Sequence, residues 1–144
     1  MTRYIGIDLG TRRIGVAVSD ELGLTAQGLQ TLETSTEDDA LAAIRGLIER
    51  YDVQEVVVGL PKNMNGTLGP AAERAIAFAK RLDEGGAAKV SMWDERLTSQ
   101  AAERLLIEAD VRRARRRGAV DRMAAVLILQ GFLDRRRGQE DRTE

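Results

Sequence analysis

"YIGIDLGTRRIGVAVSD" (residues 4–20) reads as two β-strands joined by a tight, basic turn. Apolar and small residues alternate with period two: Ile5, Ile7 and Leu9 point one way, and Tyr4, Gly6 and Asp8 the other. Beyond the turn, Ile14, Val16 and Val18 share a face opposite Gly15, Ala17 and Ser19. Such a pair is a hairpin at the start of a sheet. Asp8 is the oddity in it. An ionised carboxylate in a low-dielectric interior is costly unless it is paired, hydrogen-bonded or bound to a metal.

Working outward, a weaker third strand over 27–32 completes an antiparallel meander. "STEDDALAAIRGLIERY" follows as a capped helix, with Ser35 or Thr36 at the N-cap and acids in the first turn. "EVVVGL" (55–60) is an unbroken apolar run, as a central strand covered on both faces requires. "PKNMNGTLGP" (61–70) is a loop by its Pro, Asn and Gly content. "AAERAIAFAKRL" is a helix, "KVSMW" (89–93) a strand, "TSQAAERLLIEA" a third helix and "VDRMAAVLILQGFLD" a fourth. The order βββαβαβα predicts an α/β fold: one domain over residues 1–134, with a mixed five-stranded sheet and helices on both faces. Residues 135–144 read as a charged, frayed, disordered tail.

The chain of 144 residues has no cysteine and no histidine. Disulfides, thiolate sites, histidine-rich zinc sites and a histidine general base are therefore excluded. No apolar run approaches the ~20 residues that span a bilayer, so the expectation is a cytoplasmic protein without a membrane partner. The net charge of −1 conceals an uneven distribution: "RRARRR" (112–117) places five arginines in six positions.

Three acids stand apart from the solvated majority. Asp8 lies beside Gly6, Gly15, Ala17 and Ser19, small neighbours that leave room for something to approach. Glu95, in "MWDERLTS", ends a strand where sites collect in α/β sheets. Asp121 shares a helical stripe with Ala124, Ala125, Ile128 and Phe132. Each also has an ordinary reading. Asp8 would bond strand-end amides, Glu95 would pair with Arg96 or cap the next helix, and Asp121 would face the helix dipole. Taken together, three such acids favour a shared site, and a shared site repels itself without a cation. Oxygen-only ligands suit Mg²⁺ or Mn²⁺, and two such ions about 3.5–4 Å apart promote phosphodiester hydrolysis.

"GIDLGTRRIGVAVSD", "VVGLPKNMNGTLGP", "DERLTS" and "VDRMAAVLILQGFLD", in this order, resemble the YqgF or RuvX-like family. These are RNase H-like pre-ribosomal-RNA nucleases and Holliday junction resolvases. The resemblance implies an RNase H-like fold with Asp8, Glu95 and Asp121 as the catalytic, metal-binding triad. It implies as partner an rRNA precursor, processed at the 5′ end of 16S rRNA, or branched DNA resolved by a homodimer. Asn65 stands where the family more usually has aspartate, and Gly118 where related resolvases carry a fourth ligand. Candidate nucleic-acid contacts are Arg12, Arg13, Lys62, Asn63, Asn65, Arg96, Arg112, Arg113, Arg115, Arg116 and Arg117. Arginine suits them because its planar fork bonds two phosphate oxygens. Aromatics at 3% argue against broad base stacking.

Two other classes compete. "DLGT" resembles the first phosphate loop of actin-like ATPases and sugar kinases, but no second loop accompanies it. A non-catalytic nucleic-acid-binding module would keep the arginines without needing the three acids.

Overall fold

The computed structural model describes residues 2–98 and 117–143, with the side chains of 98, 117–121 and 140–143 excepted. The helix expected over 98–109, Thr98 apart, and arginines 112, 113, 115 and 116 lie outside the described residues.

Strands β1 (Tyr4–Leu9), β2 (Ile14–Ser19) and β3 (Ala26–Leu32) form the antiparallel meander. Gly10 N–H donates to the Arg13 carbonyl at 3.0 Å, closing the β1–β2 turn. Helix α1 (Glu37–Arg50) starts at Thr36, whose hydroxyl accepts from the Asp39 amide at 3.1 Å. Strand β4 (Glu55–Leu60) then pairs parallel with β1, helix α2 (Pro70–Glu84) crosses back, and β5 (Lys89–Asp94) pairs parallel with β4. The strand order is β3-β2-β1-β4-β5. A 3₁₀ turn, Glu95–Thr98, leaves β5, and helix α3 covers Arg117–Thr143.

The period-two alternation divides the core into two layers. Ile5, Ile7, Ile14, Val16, Val18, Val56 and Val58 pack with Leu41, Ile44 and Leu47 of α1 and Phe78 and Leu82 of α2. Tyr4, Ala17, Val57 and Trp93 pack on the opposite face with Ala125, Ile128, Leu129 and Leu133 of α3. Burial of each large aliphatic side chain contributes roughly 1.5–3 kcal/mol, offset by the entropy of ordering.

Helix α3 lies against the sheet at glycines. A Cβ on Gly6 would stand 2.6 Å from Leu129 Cβ and 3.0 Å from the Ala125 carbonyl oxygen. The space that small residues leave beside Asp8 is thus partly filled by α3 itself, a correction to its reading as approach room. Only the glycine hydrogen permits so close a crossing.

The same helix corrects the expected tail. It continues past Asp134 to Thr143. Arg136, within that stretch, places its guanidinium 5.2 Å from the Tyr4 ring centre and 3.3 Å from Glu55 Oε1. Glu55 is buried and also accepts from the Ser91 hydroxyl at 2.6 Å. A charged run that looks solvated in sequence therefore has a buried partner.

Candidate active site

The candidate face is laid out by register. Along β1, Tyr4 meets Phe132 of α3 with ring centres 5.9 Å apart, and Gly6 meets Leu129 and Ala125. Strand and helix run in opposite senses. The next β1 residue on this face is Asp8, about 7 Å further on, and the next turn of α3, about 6 Å further on, begins at Asp121. The backbone thus carries Asp8 and Asp121 toward the same end of the sheet.

Glu95 comes to that end from β5. Its carboxylate passes over Gly59, where a Cβ would lie 3.2 Å from Glu95 Oε2 and 2.5 Å from Ile128 Cδ1. Gly59 is a cradle, because any side chain there would push the carboxylate and α3 away. Burial, then the charge of Asp8, then that of Asp94 push the Glu95 carboxyl up from 4.5 to about 7. Asp8 and Glu95 therefore stand within electrostatic reach of each other. No group of three acids able to hold a metal occurs among the described side chains, and that of Asp121 is not one of them.

Arg96 pairs with Asp94, not with Glu95. Its Nε contacts both Asp94 carboxylate oxygens at 3.1 Å, a second nitrogen donates to Oδ2 at 2.7 Å, and its backbone amide donates to Oδ1 at 3.0 Å. The Arg96 side chain holds the Asp94 carboxyl below its ordinary value, with help from the nearby Lys62 charge. Asp94 was absent from the expected site. Strand parity is the signal that separates the neighbours: Ser91 and Trp93 lie on the α3 side, so Glu95 continues that side and Asp94 does not.

The β4–α2 loop borders Asp94 and its partner Arg96. Gly66 has φ +86°, a left-handed turn that suits glycine. Asn63 Nδ2 donates to Thr67 Oγ1 at 2.9 Å, and Asn65 Oδ1 accepts from the Thr67 amide at 3.1 Å and hydroxyl at 2.6 Å. Both asparagines hold the loop's shape. Arg13, in the β1–β2 turn, pairs with Glu33 at 2.9 Å, while Arg12 beside it is exposed. Arg117 begins α3.

The oxygen-only donors fit a hard divalent cation. Asp8 and Glu95 repel each other, Gly59 leaves the Glu95 carboxylate its space, and a cation between them would reverse the push on Glu95.

A mixed five-stranded sheet with acids at the ends of β1 and β5, crossed by α3 on one face, defines an RNase H-like protein of the resolvase type. T. thermophilus RuvC in complex with Holliday junction substrate superposes at a TM-score of 0.63 with 18% identity, covering 95% of this chain and 97% of that one. The fowlpox virus resolvase in its junction complex gives 0.57 with 11% identity, over 92% and 97%. These establish the fold. A family model described as "RuvX: Holliday junction resolvase" matches residues 2–135, and the chain belongs to the RuvX family. A relative from Geobacillus kaustophilus, named "Putative pre-16S rRNA nuclease", is 56% identical over 137 residues, 94% of this chain and 99% of that protein. One of the same name from Bacillus cereus is 54% identical over 136 residues, 93% and 99%.

Proposed function

We propose that this chain is a divalent-metal-dependent nuclease that hydrolyses phosphodiester bonds of structured nucleic acid, acting at the 5′ end of pre-16S rRNA. The observation that carries the reading is the convergence of Asp8 and Glu95, from strands at opposite ends of the chain's order, on one end of the sheet beneath α3. We assign the nuclease unit to residues 1–134, with Asp8, Glu95 and Asp121 holding Mg²⁺ or Mn²⁺. These acids would hold a divalent cation, whose chemistry there would be charge neutralisation at the scissile phosphate and activation of water.

The chain's own residues do the rest. Asp8, fixed on a central strand, would hold the cation to the sheet. Gly59 keeps the Glu95 carboxylate in place, and Asp94 keeps Arg96 from pairing with it. Arg12, Lys62 and the arginines at 112–117 contribute phosphate contacts, so binding weakens steeply with salt. Arg13, Asn63, Asn65 and Arg96 shape the surface that meets the backbone.

A second reading is favoured by the family's description and by the resolvase fold: cutting of branched DNA by a homodimer. One cleavage panel tests both. End-labelled pre-rRNA leader, linear duplex and four-way junction are incubated with Mg²⁺, Mn²⁺ or chelator, using the wild type and Asp8→Asn. Metal-dependent cutting of the leader that is lost in the variant supports the first reading, and paired cuts across the junction support the second. Binding without cutting in any metal, equal in both proteins, overturns the nuclease assignment.

A further inference from the structure

The chain has five aromatic residues: one Trp, two Tyr and two Phe. Tyr4, Phe78 and Trp93 are buried, and Tyr51 and Phe132 are half-buried against the two core layers. None is presented to a base, so the usual stacking platform of nucleic-acid-binding proteins is absent.

One large apolar side chain is presented instead. Met64, at the tip of the β4–α2 loop, is 83% exposed, more than any other exposed large hydrophobic residue among those described. The loop that carries it is organised. Asn63 N–H donates to the Thr67 carbonyl at 3.0 Å, and Gly66 N–H to the Asn63 carbonyl at 2.8 Å, in addition to the asparagine–threonine bonds given above. The loop is also tied to the site, because an Arg96 terminal nitrogen donates to the Met64 carbonyl at 3.4 Å while the same guanidinium grips Asp94. Met64 is thus one side chain away from the residue that follows Glu95. Leu68 (46% exposed), on the same loop, and Leu97 (54%), on the 3₁₀ turn, are further exposed apolar side chains.

A fixed loop that holds an unbranched thioether in water, without a partner among the described residues, beside the proposed phosphodiester-cleaving centre, matches the demands on a wedge. Apolar side chains, methionine among them, enter between base steps and favour nucleic acid that unstacks cheaply. The methionine sulfur adds a favourable contact with a ring.

We propose that Met64 is a base-contacting wedge that selects substrates with an unstacked nucleotide next to the scissile phosphate, a role that rests on the nuclease reading above. It gives a protein poor in aromatics a way to read structure without reading sequence. The Asp94–Arg96 pair is its positioning strut.

The test uses an RNA stem with 2-aminopurine either unpaired in a bulge or paired at the same position. Fluorescence is followed on titration with Asp8→Asn protein in Mg²⁺, so no turnover is required, and cleavage of the same two RNAs is followed with active protein. The bulged base should change its emission on binding. Met64→Ala should lose that change and lower the bulged-over-paired cleavage preference about three- to tenfold. Met64→Leu should restore most of both, with unaltered melting temperatures in each variant. An emission change and preference in Met64→Ala equal to those of the parent proteins overturn the wedge, as does a Met64-containing protein that leaves the bulged base unchanged. Failure of active protein to cut any substrate overturns the nuclease reading alone, because the fluorescence arm stands without it.

Discussion

Replacing Gly6 by alanine adds one methyl group where β1 and α3 come together. The new Cβ would stand 2.6 Å from Leu129 Cβ and 3.0 Å from the Ala125 carbonyl oxygen. Ordinary carbon contacts are about 3.5–4.0 Å, so the helix must back away by roughly 1 Å. The backbone of both elements is involved, which leaves no flexible side chain to absorb the shift. Overpacking of a closed core costs about 1–3 kcal/mol. The upper half of that range applies, because Ala125, Leu129, Ile128 and Leu133 are 0–2% exposed and all lose contacts together. Thermal unfolding followed by circular dichroism should give a melting temperature about 6–12 °C lower. Cleavage below the transition should fall further, about 10–100-fold, since a displacement near 1 Å separates the α3 turn bearing Asp121 from Asp8. Gly46→Ala is the matched control. Nothing lies within 4 Å of its Cβ position on the exposed side of α1, so it should stabilise by about 0.5–1 kcal/mol through helix propensity. A Gly6→Ala protein that melts with the wild type and cleaves at its rate would refute this placement of α3 on the sheet.

Glu95 makes the metal-free protein sensitive to pH. Its carboxyl, near 7 in the fold against 4.5 in the unfolded chain, binds a proton more tightly when folded. Stability therefore falls as pH rises through that window, by on the order of 2 kcal/mol after solvent screening, and levels off above it. Glu95→Gln should flatten this part of the profile, and Mg²⁺ should raise the melting temperature of the wild type more at pH 8 than at pH 5. Asp94 has the opposite sign: its lowered carboxyl adds stability that is lost as pH falls below the ordinary carboxylate range. Asp94→Asn should remove that acid-side loss in thermal melts and speed limited proteolysis of the 61–69 loop. Arg136→Ala leaves buried Glu55 with the Ser91 hydroxyl alone, and should cost about 1–2 kcal/mol in urea unfolding with cleavage retained at temperatures where the chain is folded. A retained midpoint would show that the Arg136–Glu55 pair contributes nothing to stability.

Alternation and turn chemistry carry most of the fold in this sequence. The faces read for β1 and β2 are those that pack in the structure, and "EVVVGL" is β4, covered on both sides. Periodicity assigns a face without saying what covers it, so Gly6 reads as room when it is a helix crossing. Arg136 reads as tail because its partner, Glu55, is 81 residues away, and Glu55 opens the run that otherwise identifies the strand. In the site, Asp8 is legible because a carboxylate in an apolar strand needs an explanation. Asp94 is not, since two adjacent acids look alike until the strand's parity assigns one to Arg96 and the other to the α3 face. Met64 escapes for a simpler reason: nothing in a loop composition tells which side chain the turn holds outward.

Among the described elements, helix α3 follows all five strands in the chain and packs on one face of the sheet against Tyr4, Ala17, Val57 and Trp93. It also carries Asp121 in its opening turns. During synthesis the strands and α1 and α2 emerge before α3 and have their own core to fold around, whereas the second layer waits for α3. Ribosomes make this polypeptide, and under the proposed function ribosomal RNA is what it cuts. A nascent chain that has not yet reached α3 lacks Asp121, the third acid of the proposed set, and leaves Gly6 uncovered. The second core layer and the proposed set of acids are thereby completed by one and the same element.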